Sequence, residues 1–407
     1  MISLSAPQKK LQATIPLPSS KSESNRALII QALCNPASKL SNLSSARDTQ
    51  TMIRLLGSEG HVLDVIDAGT TMRFLTAYCA AVGRDQILTG TPRMCKRPIG
   101  ILVNALRSLG AEIEYWKQDG FPPLHIVSKG EGIKGGAVSL PGNVSSQFIS
   151  ALLMVGPVLP GGLELTLEGS VTSRPYIQMT LSLMEFFGVK ATWEENTISV
   201  PHRPYQPQPY TIESDWSGAS YWYSMVALSE AAEVKLRGLR KVSRQGDAKI
   251  AELMEHFGVR SDFREDGVLL TKHPLPDKSV FAVDFTSFPD LAQTMAVVSA
   301  ATGKPLQLSG LHTLRIKETD RIAALQNELK KFGVSMKSHD DTNFLVQGTF
   351  TPAHLPVHTY EDHRMAMAFA PLVMKQDRLG IEDPDVVQKS YPEFWDHLRS
   401  TGIEINN

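Results

Sequence analysis

The sequence predicts an α/β protein of two domains, each holding three copies of one strand-helix-strand-helix-strand-strand unit. Two recurring features and one linker predict it. The first feature is an amphipathic helix that ends in glycine and runs into a strand. It reads HVL after Gly60, AEIEY after Gly110, VKATW after Gly188, VRSDF after Gly258, VSMKS after Gly333 and IEI after Gly402. Glycine is expected just past a helix end, because it takes a left-handed backbone without steric cost. The second feature is a polar turn, rich in Ser, Asp and Thr, that opens an apolar helix. It is counted from Ser22, Thr70, Ser145, Trp216, Asp290 and Asp362. The glycines are 50, 78, 70, 75 and 69 residues apart, and the turns 48, 75, 71, 74 and 72. Each turn falls 38 to 43 residues before its glycine, so the two series march together and imply six copies of one unit.

Within the unit, the strands are the alternating or β-branched runs such as LELTLEG, NTISV, GVLLT, PLQLSG and NFLVQG. The helices of the first feature are expected to be apolar nearly all round and so to be buried inside a domain. The first unit, with a spacing of 50 against 69 to 78 for the others, is expected to lack part of its strand pair. At about 150 residues per domain, 407 residues fit two domains of three units better than one solenoid. The linker is the Pro-rich stretch PHRPYQPQPYTIES, Pro201–Ser214, midway along the chain.

Composition narrows the function. Hydrophobic residues make up 42%, enough for a core in each domain. Lys plus Arg is 41 against 42 for Asp plus Glu, so no global charge draws nucleic acid or an anionic membrane. Cys34, Cys79 and Cys95 are too few and scattered for a disulfide framework or a zinc site, which points to reduced thiols in the cytoplasm. The N-terminal stretch has no signal-peptide layout, and the longest apolar run, near Ile149–Pro160, is too short for a bilayer. No P-loop, dinucleotide fingerprint, HExxH or GxSxG occurs, so no nucleotide, metal or serine-nucleophile chemistry and no cofactor is expected.

The helix starts carry the chemistry. A helix N-terminus offers unpaired N–H groups and about half a positive charge, and small hydroxyl residues leave room there for an anion. The turns hold Lys21, Ser22 and Arg26; Gly69, Thr70 and Arg73; Ser145, Ser146 and Gln147; Asp290; and His363 with Arg364. Capping accounts for a single Ser or Thr. It does not account for arginine, whose charge opposes the helix dipole. Arg26, Arg73 and Arg364 break that rule at equivalent points of a repeat, which points to a shared anionic cleft. TPRMCKRPIG adds Arg93, Lys96 and Arg97, and RIKETDR adds Lys317, Glu318 and Arg321. Arginine pairs bidentately with carboxylate and phosphate. The pattern therefore describes a site for one or two polyanionic small molecules. Asp290 and Glu318 would be costly there unless they do acid/base work.

At these residues the chain resembles the 5-enolpyruvylshikimate-3-phosphate synthase family. The resemblance rests on PSSKSESNRAL, DAGTTMRFL, TPRMCKRPIG, NVSSQF, SRPYI, QGD, FPDLAQT, LRIKETDR, YEDHRMAM and DPDVVQKSYPEF, in family order and over nearly the whole chain. It implies two inside-out α/β domains of three repeats each, with the active site in the interdomain cleft. The chain would start in one domain, cross and return, giving residues 1–18 plus 215–407, and residues 19–214. The reaction implied is transfer of the enolpyruvyl group of phosphoenolpyruvate to the 5-hydroxyl of shikimate 3-phosphate. Phosphate is released by addition and elimination, on the way to chorismate and aromatic amino acids.

By the same resemblance, shikimate 3-phosphate meets Lys21, Ser22 and Arg26, with Arg26 on its carboxylate. Its phosphate sits among Ser145, Ser146, Ser173 and Lys317, with Gln147, Tyr176, Asp290 and Thr313 completing that pocket. Phosphoenolpyruvate meets Lys21, Gly69, Arg97, Gln147, Arg321, His363, Arg364 and Lys389. Asp290 is the base, aided by the charge of Lys21, and Glu318 the acid. His363 either assists or only orders its helix start. The implied partners are these two small molecules, with no nucleic acid, no membrane and a monomeric cytoplasmic chain. Four positions depart from the family pattern. Asp67 replaces Asn, Thr71 a common Ala, Phe74 a Pro, and Thr313 an Asn. The first three flank Gly69 and bear on inhibitors that mimic phosphoenolpyruvate, such as glyphosate. The sister UDP-N-acetylglucosamine enolpyruvyl transferases use a loop cysteine where this chain has Pro92. A non-catalytic anion binder would not need Lys21, Asp290 and Glu318 together, and a repeat scaffold would need no buried arginines.

Overall fold

The computed structural model describes residues 1–340 and 342–406. Among the described residues twelve α-helices form six pairs. They are α1 (Lys21–Leu33) and α2 (Arg47–Leu56), α3 (Gly69–Val82) and α4 (Gly100–Ser108), and α5 (Ser146–Val155) and α6 (Arg174–Phe186). Then follow α7 (Trp216–Leu228) and α8 (Ile250–Leu253), α9 (Ala292–Thr302) and α10 (Arg321–Lys331), and α11 (His363–Phe369) and α12 (Phe394–Ser400). The chain separates into two compact units, one of Met1–Ser20 with everything from Glu213 onward, the other of Lys21–Ile212. The first contains α7 to α12 and the second α1 to α6.

In each unit the odd-numbered helices pack on one another, α1, α3 and α5 in the second and α7, α9 and α11 in the first. These are the helices opened by the polar turns, not the glycine-ended ones expected, and among them α5, α7 and α9 are apolar nearly all round. Every residue of α7 except Ser217 and every residue of α9 except Thr302 is buried. Burying one Leu, Ile or Phe contributes about 1.5–3 kcal/mol, which is why these helices lie inside and the sheets outside. Each unit has its own core, one centred on Trp216, Trp222, Met295 and Phe369, the other on Phe74, Leu152, Leu165 and Phe187.

Four sheets repeat one order, in which a unit's first strand is parallel to its second, the second antiparallel to its fourth and the fourth to its third. One is Val62–Asp64, Gln86–Thr89, Leu124–Val127 and Glu112–Tyr115. The next is Gly136–Pro141, Leu163–Glu168, Thr197–Val200 and Thr192–Glu194. A third is Lys10–Pro16, Ala231–Arg237, Gly267–Lys272 and Val259–Arg264. The fourth is Phe281–Asp284, Leu306–Ser309, Phe344–Gly348 and Val334–Ser338. A three-stranded sheet places Ile2–Ser5 between Leu379–Ile381 and Glu404–Asn406, so the last unit takes a strand from the start of the chain.

Glycine ends five of the six repeats as expected. Gly110, Gly188, Gly258, Gly333 and Gly402 all have left-handed φ, between 74° and 103°. Gly60 does not. Helix α2 ends three residues earlier, at Gly57, whose φ of −87° is ordinary. The strand after Gly60 is not the closing strand of the first unit either. It is Val62–Asp64, which pairs with Gln86–Thr89 and opens the second. Among the described residues the first unit therefore has no antiparallel pair of its own, rather than a partial one. Its only ladder is Leu40–Ser41 with Tyr210–Thr211, in parallel. Two strands are also exchanged: Lys10–Pro16 precedes α1 but pairs beside α7, while Tyr210–Thr211 precedes α7 but pairs near α1. Cys34 and Cys79 are buried and Cys95 half-buried, and all three are free thiols. Among the described residues no helix is long and apolar enough to cross a membrane.

Candidate functional site

The residues expected to bind anions fall into two sets, one at the helix starts of each unit. In the Lys21–Ile212 unit, Lys21 and Ser22 open α1, both half-buried. Lys21 Nζ is 3.1 Å from Asp48 Oδ2 at the start of α2. One turn on, Arg26 is buried, and its guanidinium donates to Thr180 Oγ1 (2.7 Å), the Ser22 carbonyl (2.8 Å), Ser150 Oγ (3.1 Å) and the Tyr176 carbonyl (3.4 Å). Its charged carbon lies 5.5 Å from the centre of the Phe74 ring. Burial lowers its pKa to about 10, against Tyr176 and Glu23 nearby. Four of the five N–H donors of Arg26 are thus engaged within the protein. The arginine ties α1 to α5 and α6, and its contact with a substrate carboxylate, expected from the resemblance, is limited to what the remaining donor can reach.

Gly69 opens α3, and its bare Cα is where two arginines come together. A Cβ there would lie 2.6 Å from Arg97 Nη1 and 2.8 Å from Arg73 Nη1. Arg73 donates back to the Gly69 carbonyl (3.0 Å) and to that of Pro98 (3.2 Å), and faces the Phe148 ring. Asp67, the unexpected acid of this turn, pairs with Arg47 Nη2 at 2.9 Å, both partly exposed. Its charge is matched locally. Gln147 Nε2 donates to Thr70 Oγ1 (3.0 Å), joining the starts of α5 and α3. Ser145 caps α5 by accepting from the Gln147 amide at 3.4 Å, and Ser146, half-buried, is its first residue. Ser173, buried, stands before α6 with a left-handed φ of 54° and no capping bond from its side chain. Such a backbone costs a non-glycine residue about 1–2 kcal/mol and recurs at ligand sites. Tyr176 is half-buried in the first turn of α6.

The other unit concentrates charge. Asp290 sits before α9, with Oδ1 3.1 Å from Arg321 Nη1 and 4.0 Å from Lys317 Nζ, and Oδ2 2.7 Å from Arg364 Nη2. Burial pushes its carboxyl up, but the three cations outweigh that and hold it well below the usual carboxylate range. Arg321, buried, also donates to Glu318 Oε2 (2.8 Å) and to Asp362 Oδ2 (2.7 Å). Despite burial, Asp362, Glu318 and Asp290 hold Arg321 firmly charged. Asp362 caps α11 by accepting from the Arg364 amide at 2.8 Å. The Arg364 side chain also donates to Tyr221 on α7 (3.2 Å), whose hydroxyl burial pushes up to about 12. Burial lowers Lys317, while Asp290 raises it. His363 is buried with Nδ1 3.6 Å from Asp362 Oδ1, and Lys389 is buried at the end of the 3-10 turn Pro384–Lys389. Thr313 lies half-buried in the turn His312–Ile316, which leads into Lys317.

The sequence reading thus finds most of the charged members. It misses Asp48 and Asp362 as partners of Lys21 and Arg321, and Arg47 as the partner of Asp67. Asp362 already stands out as a repeat marker, and its place two residues before Arg364 is the one signal for it. Nothing local marks Asp48 or Arg47.

The model of the family described as EPSP synthase (3-phosphoshikimate 1-carboxyvinyltransferase) matches residues 5–61 and 54–398. A 3-phosphoshikimate 1-carboxyvinyltransferase of Bacteroides fragilis is 49% identical over 405 residues, covering 99% of this chain and 98% of that one. Its counterpart from Vibrio cholerae is 34% identical over 423 residues, covering 96% and 97%. In fold, the chain is similar to EPSP synthase from Acinetobacter baumannii, with a TM-score of 0.78 at 21% identity and full coverage of both chains. It is also similar to the enolpyruvyl transferase NikO of Streptomyces tendae, with a TM-score of 0.71 at 14% identity, covering 100% of this chain and 98% of that one.

Proposed function

The chain belongs to the EPSP synthase family, and we propose that it transfers the enolpyruvyl group of phosphoenolpyruvate to the 5-hydroxyl of shikimate 3-phosphate with Asp290 as base and Glu318 as acid. One observation carries the assignment of roles: Asp290 is held by Arg321, Arg364 and Lys317, while Glu318 shares Arg321. A carboxylate among three cations is a poor base. Each cation is worth on the order of 4 kcal/mol at 4 Å in a medium of effective dielectric about 20. Both substrates are anions, and their phosphates and carboxylates compete for the same cations. Arg321 and Arg364 turning to phosphoenolpyruvate, and Lys317 to the shikimate phosphate, return basicity to Asp290 only when the substrates are in place.

The chemistry then balances. Glu318 gives its proton to the methylene carbon of phosphoenolpyruvate while the 5-hydroxyl oxygen bonds to the adjacent carbon, and Asp290 takes the hydroxyl proton. The resulting tetrahedral intermediate loses a proton from the new methyl group back to the Glu318 carboxylate, while phosphate leaves with the C–O electron pair and takes up the proton held by Asp290. Arg97, beside Gly69, and Lys21 stabilise the developing charge, a contribution often of several kcal/mol. Ser145, Ser146, Ser173, Gln147, Tyr176 and Thr313 position shikimate 3-phosphate. Lys389 and His363 complete the phosphoenolpyruvate side. The working form is a cytoplasmic monomer.

Phosphate release on mixing the protein with both substrates tests the reaction, with UDP-N-acetylglucosamine as a parallel acceptor. Release should require shikimate 3-phosphate. Asp290→Asn and Glu318→Gln should each bind shikimate 3-phosphate yet lose at least about a hundredfold in turnover. Near-normal turnover in both variants removes the assigned roles, and release only with the sugar nucleotide removes the substrate.

A further inference from the structure

We propose that His61, Asp85 and His125 form a binding site for a late first-row divalent cation, with zinc the best match, on the solvent-facing side of the sheet that opens the second repeat. The three residues are brought together by pairing alone. His61 immediately precedes the strand Val62–Asp64, Asp85 precedes Gln86–Thr89, and His125 lies within Leu124–Val127. In the sheet these three strands are consecutive neighbours. The ligand atoms of the three residues all lie within 4.8 Å of one another. His61 Nδ1 is 3.4 Å from Asp85 Oδ1, and His125 Nε2 is 3.1 Å from the same oxygen. Tetrahedral zinc, with bonds of about 2.0–2.1 Å to nitrogen and oxygen, needs ligand atoms about 3.3 Å apart. Two of the three edges are already close to that length.

The donor set and its supports fit the same reading. Two imidazoles and a carboxylate suit zinc, and also copper, nickel or cobalt, better than magnesium or calcium. Three protein ligands leave a fourth position to water, and the partial exposure of the cluster (53% for His61, 22% for His125, 38% for Asp85) gives that water access. A metal-bound histidine usually donates its other ring N–H to a carboxylate, a backbone carbonyl or water. Here Glu114, directly opposite His125 in the sheet, places Oε2 3.9 Å from His125 Nδ1. The second oxygen of Asp85 is fixed by the Ser128 amide at 3.0 Å. Trp116, itself exposed, stands edge-on to His125 with ring centres 6.3 Å apart. A hydrogen bond to Asp85 accounts for the position of His125. It does not account for His61, whose Nδ1 faces the same Asp85 oxygen at 3.4 Å, so that two imidazole nitrogens converge on one carboxylate oxygen. None of the residues is among those assigned to the transfer reaction, so the ion would clamp three strands rather than take part in catalysis.

Full-length protein, stripped with chelator, is titrated with zinc by calorimetry and with cobalt by visible absorption. The expected result is a single tight ion per chain and the d–d bands of a four- or five-coordinate cobalt site. His61→Ala with His125→Ala should abolish both, and Glu114→Ala should weaken zinc binding by about tenfold. Phosphate release should survive in the double variant, which shows that it is folded. Absence of binding to the parent protein overturns the proposal, and so does equal binding by the double variant, which would place the ion elsewhere.

Discussion

At the residue scale, Gly69 shows how little room the proposed phosphoenolpyruvate side leaves. Arg97 and Arg73 both approach to within 3 Å of where a Cβ would stand. Gly69→Ala must therefore push two guanidinium groups outward. Both are far ends of flexible side chains, so the protein should stay folded while the arginines lose their aim. Overpacking of this kind costs about 1–3 kcal/mol, or about five- to 150-fold in an equilibrium constant. The KM for phosphoenolpyruvate should rise by about that factor, with the KM for shikimate 3-phosphate nearly unchanged. An unaltered phosphoenolpyruvate KM in steady-state kinetics would move that substrate away from Gly69. Asp67, two residues before, is a weaker lever, since its charge is already matched by a partly exposed partner, Arg47, and such pairs contribute about 0–1 kcal/mol. The charged residues were legible because a cation at a helix start is locally wrong. Their partners were not, since Arg321 with Asp362 and Lys21 with Asp48 are joined only by tertiary packing.

At the element scale, the same glycine signal conceals unequal costs. Gly110 and Gly258 both end the second helix of a repeat with left-handed φ, 103° and 74°. A Cβ on Gly110 would meet nothing within 4 Å, whereas one on Gly258 would lie 2.4 Å from the carbonyl oxygen of His273. Gly110→Ala should cost only backbone strain, about 1–2 kcal/mol. Gly258→Ala adds a clash with main chain that cannot swing away, and should cost at least about twice as much. Urea unfolding of the two variants compares them directly, and equal losses would show that the main chain at His273 and Pro274 yields easily. Caps and left-handed glycines are local, so five repeats could be read from the chain. The sixth could not. The strand after Gly60 changes owner through pairing with a later strand, and pairing leaves no mark in local sequence.

At the scale of the whole molecule, the two units differ in how the chain builds them. Lys21–Ile212 is continuous, and its core from Ala27 to Ile212 draws on no residue of the other unit. Its one strand supplied from far along the chain, Tyr210–Thr211, lies within its own bounds. The other unit depends on Met1–Ser20, which provides the middle strand of one sheet, Ile2–Ser5, and the edge strand of another, Lys10–Pro16. The exchange of first strands between the units is why no domain boundary in the sequence is a simple cut. The cation cluster belongs to the same class of feature, because His61, Asp85 and His125 share no motif and meet only through sheet order. A fragment of residues 21–212 should therefore fold alone, with cooperative thermal unfolding and the native circular dichroism of a mixed α/β chain. It should also keep the zinc affinity of the full chain while releasing no phosphate, since Asp290, Glu318, Arg321 and Arg364 are all in the other unit. Residues 213–407 without Met1–Ser20 should not fold, for one sheet loses its centre and its neighbour an edge. A fragment 21–212 that unfolds without cooperativity would mean that the core of this unit is stable only as part of the full chain.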